Sequence, residues 1–335
     1  MKTKGPIIAK FSTPCSLSPW SIPGSLGNKY HFKPQGRYEK LSQQLVPNYP
    51  RATPKQLTPK QLQDPRPLMP VTTLSGLIAI VFYLIGTFYQ AKHLNMREKH
   101  QASYRWVFLF GLLAVLAHFV SVRGVLHHND GYHFGIVQIS TLITATISLL
   151  VLLSGLRKPL GILILGLFPL AILSIVVSLS IPSAFPPVSL GAGIASHILL
   201  SILAYSLFSI AALQAGFLAF QNHQLKHRHA ASVIRRFPPL QDMESFLFEL
   251  LWAGQGLLTL GIVAGFFFVD DIWAHGLLHK MFFSVLAWGV FAVLLWGRHK
   301  LGWRGTTAIR FTLTGFAFLI LGFYGSKVVL EYILN

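Results

Sequence analysis

The side chains best able to do chemistry in this sequence are its fourteen imidazoles. One of them heads an apolar run, His197-Ile-Leu-Leu-Ser-Ile-Leu-Ala-Tyr-Ser-Leu-Phe-Ser-Ile-Ala-Ala-Leu-Gln214, that is apolar enough to cross a bilayer. His197, Ser201 and Tyr205 recur every four residues and so share one helix face. Lipid penalises such a stripe, so it must face other helices or a bound ligand. His118 and His279 occupy comparable positions near the ends of two other apolar runs. Two imidazoles on different helices, facing each other across a slot, are what six-coordinate haem iron requires. Arg123 and Lys327 lie near the same level and could pair with propionates, while Trp273, Phe266, Phe267 and Phe268 could pack on a porphyrin. Each of these residues also has an ordinary reading. An interface histidine is often only hydrogen-bonded, and aromatic residues at headgroup level commonly form a belt.

Other chemistries find no support. The single cysteine, Cys15, excludes an intrachain disulfide, a Cys-rich zinc site and a cysteine-ligated iron–sulfur cluster. No Cys-x-x-Cys-His is present, so any haem would be held non-covalently. No Walker loop, His-Glu-x-x-His or Gly-x-Ser-x-Gly occurs, and no bond-making catalysis is expected. Asp270-Asp271 reads as a solvated loop pair. A secondary transporter would need a midplane polar site in broken helices, and only Pro169 hints at a break.

The elements that must position the histidines follow from composition. The sequence is 53% hydrophobic and only 11% charged, whereas a soluble chain carries about a quarter charged residues. The expected fold is an all-α integral membrane bundle of eight spans: 71–90, 104–122, 134–156, 159–181, 194–220, 246–269, 278–296 and 309–333. The odd connections carry the cations, such as Lys92, Arg97, Lys99 and Arg105 in the first and Arg298, Lys300, Arg304 and Arg310 in the seventh. The even connections are nearly bare. That alternation places the odd connections in the cytoplasm, and both chain ends and the even connections outside. His118, His197 and His279 then fall toward the outer ends of spans two, five and seven. Pro169 is expected to kink the fourth span. Gly261 and Gly265 form a Gly-x-x-x-Gly, from which close helix packing follows. The net charge of +18 is read as loop cation and basic tail rather than a nucleic-acid surface. Residues 1–68 read as a disordered, basic, Pro-rich tail ahead of a membrane domain spanning 69–335, with Met69 as the natural start.

From Phe237 onward several motifs follow in order. They are Phe237-Pro-Pro-Leu-Gln-Asp-Met-Glu244, Phe248-Glu-Leu-Leu-Trp-Ala-Gly-Gln-Gly256, His279-Lys-Met-Phe-Phe283, Leu295-Trp-Gly-Arg298, Gly302-Trp-Arg-Gly305 and Tyr324-Gly-Ser-Lys327. With His197, Tyr205 and Gln214 ahead of them, this run resembles the YpjD-type inner-membrane proteins. That group belongs to the cytochrome c assembly protein family, alongside the haem-handling proteins CcsA and CcmC and the HemX proteins. The resemblance covers Met69 to the C-terminus. It implies a bacterial inner-membrane location, a role in cytochrome c biogenesis, and non-covalent haem binding at the outer face. Its expected partners are the lipid bilayer, haem and other assembly proteins. His197 matches the first outward histidine of the haem-handling members, and His279 or His118 would supply the other axial ligand. The chain departs from those members in the segment Val269–His279, which holds one tryptophan and no Trp-Trp-Asp. That departure keeps a second class open, a non-haem scaffold or accessory subunit.

Overall fold

A bilayer supplies no hydrogen-bond partner, so a chain crossing it must close its backbone bonds within each segment. The computed structural model describes residues 71–95, 100–128, 131–156, 161–181, 190–226, 238–268 and 275–325. The tail 1–68, Met69, Trp273, Lys327 and the His279 side chain lie outside the described structure. The helices are α1 (Val71–Asn95), α2 (His100–Leu126), α3 (Ile136–Ser154) and α4 (Gly161–Ser180). They continue with α5 (Ala192–Lys226), α6 (Leu240–Phe268), α7 (His275–Leu301) and α8 (Thr306–Ile320). A π-wound turn, Leu321–Gly325, extends α8. All eight are long and apolar enough to span a membrane, so each expected span corresponds to one helix. The strand content among the described residues is a two-residue ladder, β1 (His127–His128) against β2 (Gly131–Tyr132).

The largest departure from expectation is at α5, whose 35 residues make about 50 Å of helix against an apolar thickness of about 30 Å. Its polar end, Gln221–Lys226, stays helical because helix hydrogen bonding does not stop where apolar character does. Pro169 sits inside α4, which runs from Gly161 to Ser180 on both sides of it.

Neighbouring helices run antiparallel. Gly76 lies against Ser121 and Gly86 against Gly111, which aligns α1 with α2. Gly193 meets Phe268 and Gly254 meets Phe208, which aligns α5 with α6. Helices α1 to α4 pack on one another, as do α5 to α8, and α3 joins the two groups through α5. One continuous core runs through both, including Tyr83, Phe168, Phe208 and Phe291. Phe208 and Phe291 stack at 4.0 Å between α5 and α7. The alternation gives the bundle two ends: an odd end, carrying the first, third, fifth and seventh connections, and an even end.

At the odd end one carboxylate ties three elements together. Glu244 is buried on the first turns of α6, and its Oε1 accepts from Arg298 Nη1 of α7 at 3.0 Å and from Arg304 Nε at 3.3 Å. The Arg298 guanidinium also covers the Phe248 ring at 4.5 Å and donates to the Trp303 carbonyl at 3.3 Å. Trp303 in turn lies over Gly297, where a side chain would collide with it. The connection between α7 and α8 closes through Gly302 and Gly305, at φ 68° and 56°, a region that glycine enters at little cost. Arg304 is 57% exposed, so its share is largely screened, whereas removing Glu244 leaves the partly buried Arg298 without its anion. Glu244→Gln is therefore expected to cost about 2 kcal/mol and Arg304→Ala less than about 1 kcal/mol. Thermal unfolding in detergent checks the order, and equal melting points for the two variants would contradict it.

Candidate functional site

His197 sits in the second turn of α5, near the even end, where it faces Gly261 and Gly265 of α6. Its Nδ1 is 2.8 Å from the carbonyl oxygen of Gly261. A carbonyl can only accept, so Nδ1 carries the proton and donates it. In a neutral imidazole bonded this way, Nε2 is the nitrogen that carries the lone pair. Among the described residues nothing hydrogen-bonds Nε2, and the residue is half-buried. The ring fits because position 265 is glycine: a methyl group there would stand 2.9 Å from Cε1 and 3.1 Å from Nδ1. A backbone carbonyl that takes the second ring proton is the usual arrangement behind a metal-ligating histidine.

His118, expected toward the outer end of its span, has a different environment. It is 0% exposed. Its Nδ1 lies 3.2 Å from the Tyr83 hydroxyl of α1 and its Nε2 3.1 Å from Thr141 Oγ1 of α3. Both ring nitrogens are thus engaged. The physical reason is packing: α2 lies between α1 and α3, and at this level their hydroxyls point at it. Among the described residues no hydrogen bond links His118 to His197.

The remaining candidates lie on several elements. Arg123 is exposed in the last turn of α2. His279 lies in the first turn or so of α7, at the even end, one residue before Lys280, whose carbonyl approaches Gly322 of the π-wound turn. Phe266 and Phe267 are exposed, whereas Phe268 lies over Gly193 of α5. The stripe begun by His197 also divides. Ser201 continues along Gly261, but Tyr205 turns toward α8 and packs on Phe316, Phe323 and Tyr324. The Tyr205 hydroxyl is buried without a hydrogen-bond partner among the described residues. The Tyr324 hydroxyl is 2.9 Å from Ser140 Oγ of α3. No group of three or more metal-ligating side chains occurs among the described residues.

What the arrangement can do chemically is therefore concentrated in one atom: the second imidazole nitrogen of His197, without a hydrogen-bond partner among the described residues, on the α5–α6 pair near the even end. Sequence reasoning had singled out His197 but missed its partner. The Gly261 and Gly265 pair was read as packing alone, and the signal overlooked was a histidine on the neighbouring span that antiparallel pairing sets opposite it.

Comparison with known proteins adds to this geometry. Residues 106–334 match the family model described as cytochrome C assembly protein. Inner membrane protein YpjD of Escherichia coli (strain K12) is 27% identical over 242 residues, covering 71% of this chain and 92% of its own length. Protein HemX of Brevibacillus brevis is 24% identical over 132 residues, 39% of this chain and 48% of that protein. Cytochrome c biogenesis protein CcsA of Lolium perenne is 27% identical over 91 residues, 27% of this chain and 28% of that protein. No solved structure matches the chain significantly. The matched segment takes in α3 to α8 entirely and most of α2, His118, His197 and His279 included, and the chain belongs to the cytochrome C assembly protein family as a multi-pass inner-membrane member with eight spans.

Proposed function

We propose that this chain works in cytochrome c biogenesis by holding haem non-covalently at the even end of its bundle, with His197 Nε2 as one axial ligand. Family membership supports the biogenesis role. The observation that supports the haem step is the bond from His197 Nδ1 to the Gly261 carbonyl, which leaves Nε2 as a lone pair on a fixed ring. When bound, haem supplies an iron centre that accepts such nitrogens along its axis. The chain's own residues bind and orient it and make no covalent bond, so the protein acts as a carrier or assembly factor rather than an enzyme. His279, near the even end, is the proposed second ligand, and Arg123 and Lys327 are the proposed propionate partners. Odd connections rich in Lys and Arg support an outer-face position for the even end. His118, with both nitrogens engaged, holds α1, α2 and α3 together.

Protein purified from haem-replete membranes is expected to show a bis-imidazole reduced-minus-oxidised spectrum that is lost in His197→Ala. A colourless wild-type protein that is fully helical would end the haem reading and leave the chain as a non-haem assembly subunit, which the missing Trp-Trp-Asp element would favour. His118→Ala is expected to have the opposite signature. It leaves Tyr83 and Thr141 without their shared partner, costing about 1–2 kcal/mol in melting experiments, while the spectrum of whatever protein folds stays unchanged. Loss of the spectrum in folded His118→Ala would instead make His118 a ligand.

A further inference from the structure

A ligand nitrogen is useful only if it is deprotonated and aimed, and in α5 neither property comes from His197 itself. The imidazole has two neutral tautomers, and in free solution both are populated. Here the acceptor-only carbonyl of Gly261 faces Nδ1 at 2.8 Å, so the tautomer with the proton on Nε2 would set two lone pairs against each other. The ring plane is fixed by a second contact. Position 265, one helical turn beyond Gly261, is where the ring lies, and a Cβ there would stand 2.9 Å from Cε1, 3.1 Å from Nδ1 and 3.7 Å from Nε2. The same carbonyl already accepts the helical N–H of Gly265, so the imidazole takes its second lone pair, and the absent Cβ opens the approach to it. We infer that Gly261 and Gly265 are positioning residues, holding His197 in the Nδ1–H tautomer with Nε2 presented as a base. The consequence for haem rests on the function proposed above, whereas the tautomer is a property of the apoprotein.

The same interface provides its own control. Gly254 lies further down α6, where a Cβ would stand 3.0–3.2 Å from the Phe208 ring. Gly254→Ala therefore disturbs the packing of α5 on α6 about as much as Gly265→Ala, but far from the imidazole. The experiment uses the full chain, labelled with ring-15N histidine and reconstituted without haem in lipid nanodiscs. The His197 signals are assigned by their loss in His197→Ala. Wild-type His197 is expected to be the Nδ1–H tautomer alone. Gly265→Ala is expected to mix the tautomers, and Gly254→Ala to leave them as in wild type. A wild-type Nε2–H tautomer, or equal disturbance by the two alanine variants, would overturn the assignment. Haemin titration of the same three proteins reads the consequence separately, with affinity expected to fall about tenfold or more in Gly265→Ala and to hold in Gly254→Ala. Wild-type protein with the Nδ1–H tautomer that takes up no haemin would remove the haem reading and leave the positioning role standing.

Discussion

The absence of water inside a bilayer is the constraint on which this structure rests. Every polar group carried into the apolar layer has to find its partner within the protein. The bundle meets much of that demand with short side chains bonded back to their own helices and longer ones reaching across, while the Tyr205 hydroxyl stays buried without a partner among the described residues. Ser206, Thr312 and Ser148 each donate to a carbonyl one turn earlier. Gln214 donates to the Met243 carbonyl, Gln221 to that of Pro238 and Gln255 to that of Trp288. These glutamines connect helices where apolar contact alone would give no orientation, since lipid tails are as apolar as leucine.

Close approach of backbones follows from the same constraint. A side chain can reach a carbonyl on the next helix only if the two helices lie near each other, and small residues permit that. Along α5 and α6 the small positions come from both sides, with Gly193 beneath Phe268 and Gly254, Gly261 and Gly265 beneath Phe208, Ser201 and His197. The pairing is maintained from the even end down to the contact of Gln221 with Pro238. Such a pair is a stiff support, and a histidine seated in it has little freedom of its own.

The number of spans and their alternation were legible in the sequence because bilayer thickness and loop charge impose them one segment at a time. The site was legible only in part. Helix spacing correctly put His197 and Ser201 on a common face, yet Tyr205 has drifted far enough round the helix to meet α8, since a four-residue step overshoots a 3.6-residue turn. The partners of His118 were not legible because sequence gives a residue's height along its own helix and not what the neighbours present there. Tyr83 and Thr141 come from 35 and 23 residues away. The Glu244 cluster was hidden for the same reason: its two arginines lie 54 and 60 residues further on, and no local pattern announces the pairing.

His118 and His197 show how one residue type comes to have two environments in one bundle. Both lie in membrane-spanning helices, and both have a nitrogen engaged by a neighbouring helix. The difference is the kind of partner. Hydroxyls both donate and accept, so Tyr83 and Thr141 can satisfy either tautomer of His118 and leave no lone pair over. A carbonyl only accepts. By taking the proton side of His197, Gly261 determines that the far nitrogen is basic, and the missing Cβ of Gly265 lets that determination be made by backbone, which no side-chain rotation can undo. His118, with amphoteric partners on both sides, is fitted for packing, and the proposed ligand role of His197 rests on a partner that is acceptor-only on one side and on a second side open among the described residues.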